Sequence, residues 1–161
     1  MGAGKTTVLA EASDLLALRH MEHAAIDLDA LGLAHLRSAS DNDDVMYRNL
    51  QAACNNYASV GVKRLLLARA MEDHAELEFC RGVVSARNTV VCRLTASAPA
   101  MERRVERREL GVSRLAYIAR AAKLNTILDR ARLEDFTVTN EHRSVTVVAQ
   151  EMLVRARWIA V

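Results

Sequence analysis

The sequence predicts an α/β fold in which helices cover both faces of a parallel sheet, giving a three-layer sandwich. Two observations predict it. Short apolar segments with strand character alternate with longer segments of helical periodicity along the 161-residue chain, and this alternation is typical of parallel sheets. The chain also opens on a glycine-rich stretch that runs directly into a helix, as phosphate-binding loops do.

The glycine-rich stretch reads Met-Gly-Ala-Gly-Lys-Thr-Thr over residues 1–7. Gly4, Lys5 and Thr6 supply the closing G-K-T of the P-loop pattern G-x-x-x-x-G-K-[ST]. The first glycine of that pattern would fall two residues before Met1, and the strand that a P-loop follows is not in this sequence. We therefore expect the upstream reading frame to encode that glycine and a central strand. A merely flexible N-terminus is the alternative interpretation.

The chemistry of the loop predicts a role for each of its residues. Successive backbone N–H groups at a helix N-terminus form a concave donor surface for a triphosphate, and glycines let that backbone approach closely. Lys5 is expected to bridge the β- and γ-phosphates, the Thr6 hydroxyl to ligate Mg²⁺, and Thr7 to face the α-phosphate. The residues predicted to bind the nucleotide here are Gly2, Ala3, Gly4, Lys5, Thr6 and Thr7.

The first half of the chain supplies helices and one strand. A helix is predicted over residues 5–19, because its apolar residues recur at helical spacing. A short buried strand over 24–29 ends in acids. Residues 38–44 predict a polar loop rich in helix-capping residues, and the apolar periodicity that begins at Met46 predicts a helix that ends at Gly61.

The second half continues the alternation. Strands are predicted at 62–68, 89–95 and 136–139. Helices are predicted at 72–81, from Ser97 to Gly111, after a cap at Ser113, and from a cap at Ser144 to about Arg155. Four strands are thus visible, and a central fifth strand is expected upstream.

Composition limits the classes of protein that the chain can represent. A content of 51% hydrophobic residues and a single proline predicts one globular domain over residues 1–161. A net charge of +2 does not indicate nucleic acid or a membrane surface as a partner. The wide spacing of Cys54, Cys80 and Cys92 argues against disulfides and zinc. Free thiols, with no long apolar run and no signal-peptide pattern, predict a cytoplasmic location.

Three further motifs accompany the loop. Asp27 and Asp29 end the first visible strand, residues 102–109 read Glu-Arg-Arg-Val-Glu-Arg-Arg-Glu, and Thr139-Asn140 follows the last strand. Together with the loop, these motifs and their order resemble the P-loop kinase group, which includes nucleoside monophosphate kinases, adenylylsulfate kinase, shikimate kinase and gluconate kinase. The resemblance implies ATP, Mg²⁺ and a small-molecule phosphoryl acceptor.

Asp27 and Asp29 resemble the D-x-D motif of the small-molecule kinases in this group. At the carboxyl end of a parallel strand both can reach the ligand crevice beside the loop. Asp27 is assigned to the Mg²⁺-water shell and Asp29 to the acceptor hydroxyl, as base or orienter, and these roles can also be exchanged. The alternative is a pair of solvated loop acids.

The arginine-rich helix resembles the lid of these kinases and is placed near residues 97–114. Its arginines form two i,i+4 pairs, so each pair lies on one helix face. Arg103 and Arg107 are the first catalytic candidates, Arg114 is a further one, and a solvated salt-bridged helix is the alternative. Asn140 is assigned to the loop around the adenine, although it also suits a simple turn.

The strand over 62–68 runs into Arg69 rather than the acid with which many P-loop ATPases end this strand. Arg69 could hold an anionic substrate or lie on the surface. The leading hypothesis is therefore an ATP- and Mg²⁺-dependent kinase of a small hydroxylated or anionic metabolite. The alternatives are a nucleotide-binding regulator or accessory ATPase without an acceptor, and a truncated, inactive form.

Overall fold

The computed structural model describes residues 2–34, 36, 38–111 and 114–160, without the side chains of residues 39–41. The strands are β1 (Ala24–Asp27), β2 (Leu65–Ala68), β3 (Cys92–Thr95) and β4 (Phe136–Thr139). The helices are α1 (Lys5–Ala17), α2 (Leu28–Leu31), α3 (Ala39–Ser59), α4 (His74–Val84), α5 (Ala98–Arg108), α6 (Arg114–Ala131) and α7 (Val145–Arg155). None of the described helices has the length and apolarity that a membrane crossing requires.

The strands form two parallel pairs. β1 lies beside β2, with Asp27 opposite Ala68, and β3 lies beside β4, with Thr95 opposite Thr139. Within the described part of the chain, no ladder of hydrogen bonds joins one pair to the other. Because the strands of each pair are parallel, their carboxyl ends share one edge, and the candidate site residues follow those ends.

Helices α1 and α7 cover one face of both strand pairs. Val8, Ala12 and Leu16 of α1 are fully buried in one cluster with residues of α7. Leu66 of β2 and Leu94 of β3 pack against this same cluster. A single apolar core therefore spans the two pairs, and α1, which carries the phosphate loop at its start, ties them together.

The opposite face is covered by α3, α4 and α6. Successive strand residues point to opposite faces, so Leu65 and Leu67 of β2 pack against the α3–α4 cluster while Leu66 faces α1. On β3, Arg93 turns to the other face and pairs with Asp129 of α6 at 2.6 Å. Helices thus lie on both faces of parallel strands, as the sequence predicts.

Several predicted boundaries change. The strand predicted over 24–29 ends at Asp27, because the Asp27 carboxylate accepts a hydrogen bond from the Asp29 amide and caps the helical turn α2. Asp29 therefore lies in that turn and not in a strand. The loop predicted over 38–44 is wrong beyond residue 38, because α3 begins at Ala39. Capping residues also suit the first turn of a helix, and here they occupy it.

Other predicted boundaries and helix caps are confirmed. β4 covers the predicted 136–139, and the predicted caps at Ser97 and Ser144 accept hydrogen bonds from the first turns of α5 and α7. β2 and β3 are each shorter than predicted, at four residues, since their partners β1 and β4 also span four. The predicted cap at Ser113 lies outside the described residues.

The three cysteines are free thiols. Burial raises the pKa of Cys80 to about 11 and that of Cys92 to about 12. Because the thiolate is the nucleophile, such thiols are inert packing groups near neutral pH. The candidate site therefore lies elsewhere, at the shared edge of the strands.

Candidate functional site

The phosphate loop has a shape that only glycine permits at two positions. Gly2 and Gly4 adopt φ values of +76° and +91°, where an L side chain is strained. A Cβ atom at Gly2 would lie 2.5 Å from the carbonyl oxygen of Met101, and one at Gly4 would lie 2.3 Å from the Nδ2 atom of Asn140. The loop is therefore pressed directly against α5 and the segment after β4.

Two side chains from those segments hold the loop in place. Asn140 is buried, and its Nδ2 donates a hydrogen bond to the carbonyl oxygen of Ala3 at 2.8 Å. Arg104 of α5 donates to the carbonyl oxygen of Gly2 at 3.2 Å and to that of Asn140 at 2.7 Å. The sequence assigned Asn140 to the loop around the adenine. The structure shows that its side chain holds the phosphate loop in place.

The segment after β4 is itself fixed to α5. Glu141 accepts hydrogen bonds from the Ser97 amide and the Ser97 hydroxyl, each at 2.8 Å. These hydrogen bonds lower the pKa of Glu141, because they favour its charged form. The floor of the loop is therefore a connected polar network at ordinary pH.

The first turn of α1 carries the predicted phosphate ligands. The helix begins directly at the loop, with the Val8 amide donating to the carbonyl oxygen of Gly4 at 2.9 Å. Lys5 forms no ion pair with any described residue, which leaves its ammonium available to an anion. The Thr6 hydroxyl donates a hydrogen bond to Oδ2 of Asp27 at 2.5 Å. The structure therefore brings together the two residues predicted to hold the metal.

The Thr6–Asp27 pair has the chemistry that Mg²⁺ requires. Magnesium binds oxygen ligands and usually takes one or two protein groups together with substrate phosphates. A hydroxyl and a carboxylate in contact beside a helix N-terminus are such a set. The other carboxylate oxygen of Asp27 accepts the Asp29 amide at 3.1 Å, so the orientation of this carboxylate is fixed.

A basic pocket of about 340 Å³ lies beside the loop. It is lined by Gly2, Gly4, Thr7, Arg104, Arg108, Asn140, Arg143 and Val145. Three guanidinium groups in its wall give it the sign that a polyphosphate needs. We call it the loop pocket.

The arginines that line this pocket are Arg104 and Arg108, not the first candidates Arg103 and Arg107, which are exposed. A signal for this was present in the sequence. At 3.6 residues per turn, Arg104 lies about 100° around the helix from Val105, whereas Arg103 and Arg107 each lie about 160° from it. Since Val105 is fully buried, Arg103 and Arg107 must face away from the protein.

A second pocket, of about 310 Å³, lies beside Asp29. It is lined by Asp29, Gly32, Asn42, Asp43, Met46 and Arg69. Asp29 stands at its edge in the first turn of α2, with its side chain 61% exposed. We call it the Asp29 pocket. The sequence did not indicate Asn42 and Asp43 as site residues, because they come from the stretch predicted as a loop.

Arg69 follows β2 and lines the Asp29 pocket. Its Nε donates to Glu76 at 2.8 Å and its Nη2 to Asp43 at 3.1 Å. Burial alone would lower the pKa of Arg69, but the hydrogen bond and charge of Glu76 raise it overall. The guanidinium is thus permanently charged and already paired.

No protein-family model matches the sequence, and no curated protein matches it. Among solved structures, the chain is similar to shikimate kinase from Acinetobacter baumannii in complex with shikimate. The superposition has a TM-score of 0.61 and 17% sequence identity, and it covers 98% of this chain and 88% of that chain. The likeness shows the fold of the P-loop small-molecule kinases, which is the architecture predicted from the sequence.

The close packing of the loop predicts the effect of Gly4→Ala. The added Cβ would collide with Asn140 and force Ala into a left-handed conformation that costs about 1–2 kcal/mol. We expect nucleotide affinity, measured with a fluorescent ATP analogue, to fall at least about tenfold. The matched control is Gly82→Ala in α4, where a Cβ meets nothing within 4 Å. Equal affinity in the two variants would contradict the observed loop geometry.

Proposed function

We propose that this chain is an ATP- and Mg²⁺-dependent phosphotransferase, which moves the γ-phosphoryl group of ATP to a hydroxyl group of a small metabolite. One observation carries the proposal. The hydrogen bond from Thr6 to Asp27 joins the phosphate loop to the end of β1, and Asp29 follows two residues later at the edge of a second pocket. The proposed ATP site and the proposed site of the phosphoryl acceptor therefore adjoin each other at Asp27 and Asp29.

ATP is proposed to lie in the loop pocket. Its phosphates would meet the backbone amides at the start of α1 and the ammonium of Lys5, which has no competing carboxylate among the described residues. Arg104 and Arg108 in the pocket wall supply further positive charge. Arg103 and Arg107 remain candidates for transition-state stabilisation only if α5 moves on closure, as lids of such enzymes do.

Mg²⁺, when bound by Thr6 and Asp27 together with the phosphates, would neutralise charge on the transferring group. Asp29 is proposed to accept a hydrogen bond from the acceptor hydroxyl and to take its proton as the oxygen attacks the γ-phosphorus. The bond to the β-phosphate oxygen then breaks and ADP leaves. Lys5 holds the phosphates in line, so that positioning and charge stabilisation supply most of the catalysis.

The size of the Asp29 pocket supports a metabolite acceptor. At about 310 Å³ it lies at the lower end of the range of small-molecule sites. The structurally similar shikimate kinase was solved with shikimate, a ligand of that size class. The free thiols of the chain also suit a reducing compartment, and we propose that the enzyme acts in the cytoplasm.

We also propose that a further parallel strand lies between β2 and β3 and leads into the phosphate loop. Parallel strands are ordinarily paired on both sides and buried on both faces. In the described chain β2 pairs with β1 alone and β3 with β4 alone. The three leucines of β2 and all four residues of β3 are only partly buried, although α1 bridges both pairs. A strand between them would satisfy both open edges.

The proposed roles of Lys5 and Asp29 are tested by acceptor-dependent release of ADP. We expect Lys5→Ala and Asp29→Asn each to lower turnover at least about 100-fold, because each removes a group that acts in the transition state. Lys63→Ala is the matched control, since Lys63 is exposed and precedes β2, at the end of the strand remote from the site. ATP turnover that no acceptor stimulates would instead support the regulator or accessory ATPase.

The proposed strand is tested by lengthening the chain with its own upstream codons. We expect the longer protein to melt at a higher temperature and to bind ATP at least about tenfold more tightly, because the strand anchors the loop from its open side. An extension of equal length and scrambled sequence is the control. Identical melting temperature and affinity in all three proteins would refute the proposed strand.

A further inference from the structure

The Asp29 pocket contains more negative than positive charge. A single guanidinium, that of Arg69, faces the carboxylates of Asp29, Asp43 and Glu76 at 3.7, 3.1 and 2.8 Å. Of the charged residues that line the cavity itself, Asp29 and Asp43 are negative and Arg69 is positive, so the lining has an excess of one negative charge. The loop pocket has the opposite character, because three arginines line it.

The guanidinium of Arg69, which lines the Asp29 pocket, is largely committed to partners within the protein. Each nitrogen of Arg69 has a partner, since Nε donates to Glu76, Nη2 to Asp43, and Nη1 to the sulfur of Met46 at 3.1 Å. The guanidinium also makes a cation–π contact with Tyr47, at 5.9 Å from the ring centre. The Tyr47 hydroxyl in turn donates a hydrogen bond to Glu76. Arg69 is therefore built into the pocket wall and does not project into the cavity.

The acceptor atoms of the pocket, in contrast, are available. The side chains of Asp29 and Asp43 are 61% and 60% exposed. Asn42, which also lines the pocket, donates through Nδ2 to the carbonyl oxygen of Ala34 at 3.3 Å. A molecule that fits this wall must supply hydrogen-bond donors, as hydroxyl and ammonium groups do.

We propose that the phosphoryl acceptor is a hydroxylated amine of about monosaccharide size, with Asp43 as the residue that selects its ammonium group. The inference rests on the proposed function and narrows the acceptor from hydroxylated or anionic metabolites to one class. Asp29 receives the hydroxyl that is phosphorylated, and Asp43 pairs with the ammonium group on the opposite wall of the cavity. Arg69 keeps both carboxylates in place.

A carboxylate or phosphate acceptor does not fit this arrangement. An acid that approached Arg69 would lie close to the carboxylates of Asp29, Asp43 and Glu76, which surround the guanidinium. Like charges that lie this close together repel each other. The pocket therefore discriminates by repulsion of acids as well as by attraction of amines.

The test uses two sets of compounds that differ in charge on one scaffold. The ring set is glucosamine, glucose and glucuronate, and the open-chain set is glucamine, sorbitol and gluconate. Binding to the protein in the presence of Mg²⁺ and a non-hydrolysable ATP analogue is measured by calorimetry, and phosphorylation by release of ADP from ATP. We expect the amine of at least one set to bind at least tenfold more tightly than the neutral compound, and the acid to bind more weakly than either.

The variant Asp43→Asn identifies the responsible residue. We expect it to reduce the preference for the amine over the neutral compound at least tenfold. Asp44→Asn is the matched control, because Asp44 is the exposed neighbour of Asp43 on α3 and does not line the pocket. Both variants are first compared with the parent protein by circular dichroism, which shows whether they fold.

The outcomes separate the two proposals. Acids that bind or react as well as the amines, no binding of any compound, or an unchanged amine preference in Asp43→Asn would overturn the proposed acceptor class. Amines that bind selectively but never increase ADP release would overturn the phosphotransferase and leave the charge selection of the pocket standing.

Discussion

The hydrogen bond between the Thr6 hydroxyl and the Asp27 carboxylate ties the phosphate loop to the edge of the strands. One oxygen of Asp27 meets Thr6 at 2.5 Å, and the other accepts the Asp29 amide. The same carboxylate therefore fixes the pair that we propose to bind metal and starts the helical turn that carries Asp29. A displacement of Asp27 would therefore disturb both the phosphate loop and the turn that carries Asp29.

The loop itself is shaped by contacts from distant parts of the chain. Asn140, which follows β4, and Arg104 on α5 hold its carbonyl groups, and the two left-handed glycines leave no room for a side chain. A pocket lined by three arginines adjoins this loop, whereas Asp29 and Asp43 line the second pocket. A triphosphate and its acceptor would thus be sorted by charge before any chemistry takes place.

Local patterns in the sequence predicted the architecture well, because alternation of strands and helices, serine caps and the P-loop are all set by residues close in sequence. The β4 boundaries and the caps at Ser97 and Ser144 are confirmed for this reason. The loop predicted over 38–44 failed because capping residues suit both a loop and a first helical turn. The partners of Arg69 were not predictable, since Asp43 and Glu76 reach it from α3 and α4. The apolar Val105, which is buried, indicates which side of α5 faces the protein and therefore which arginines lie near the loop. The i,i+4 spacing of the arginines alone left both pairs possible.

The account rests on Thr6 and Asp27 holding Mg²⁺ against the phosphates of ATP. The most direct test compares the affinity for ATP with Mg²⁺ and with excess chelator, in the parent protein and in Asp27→Asn. We expect Mg²⁺ to tighten ATP binding in the parent at least about tenfold, and this gain to be lost in the variant while its affinity for metal-free ATP stays unchanged. An Asp27→Asn variant that keeps the full effect of Mg²⁺ would contradict the account.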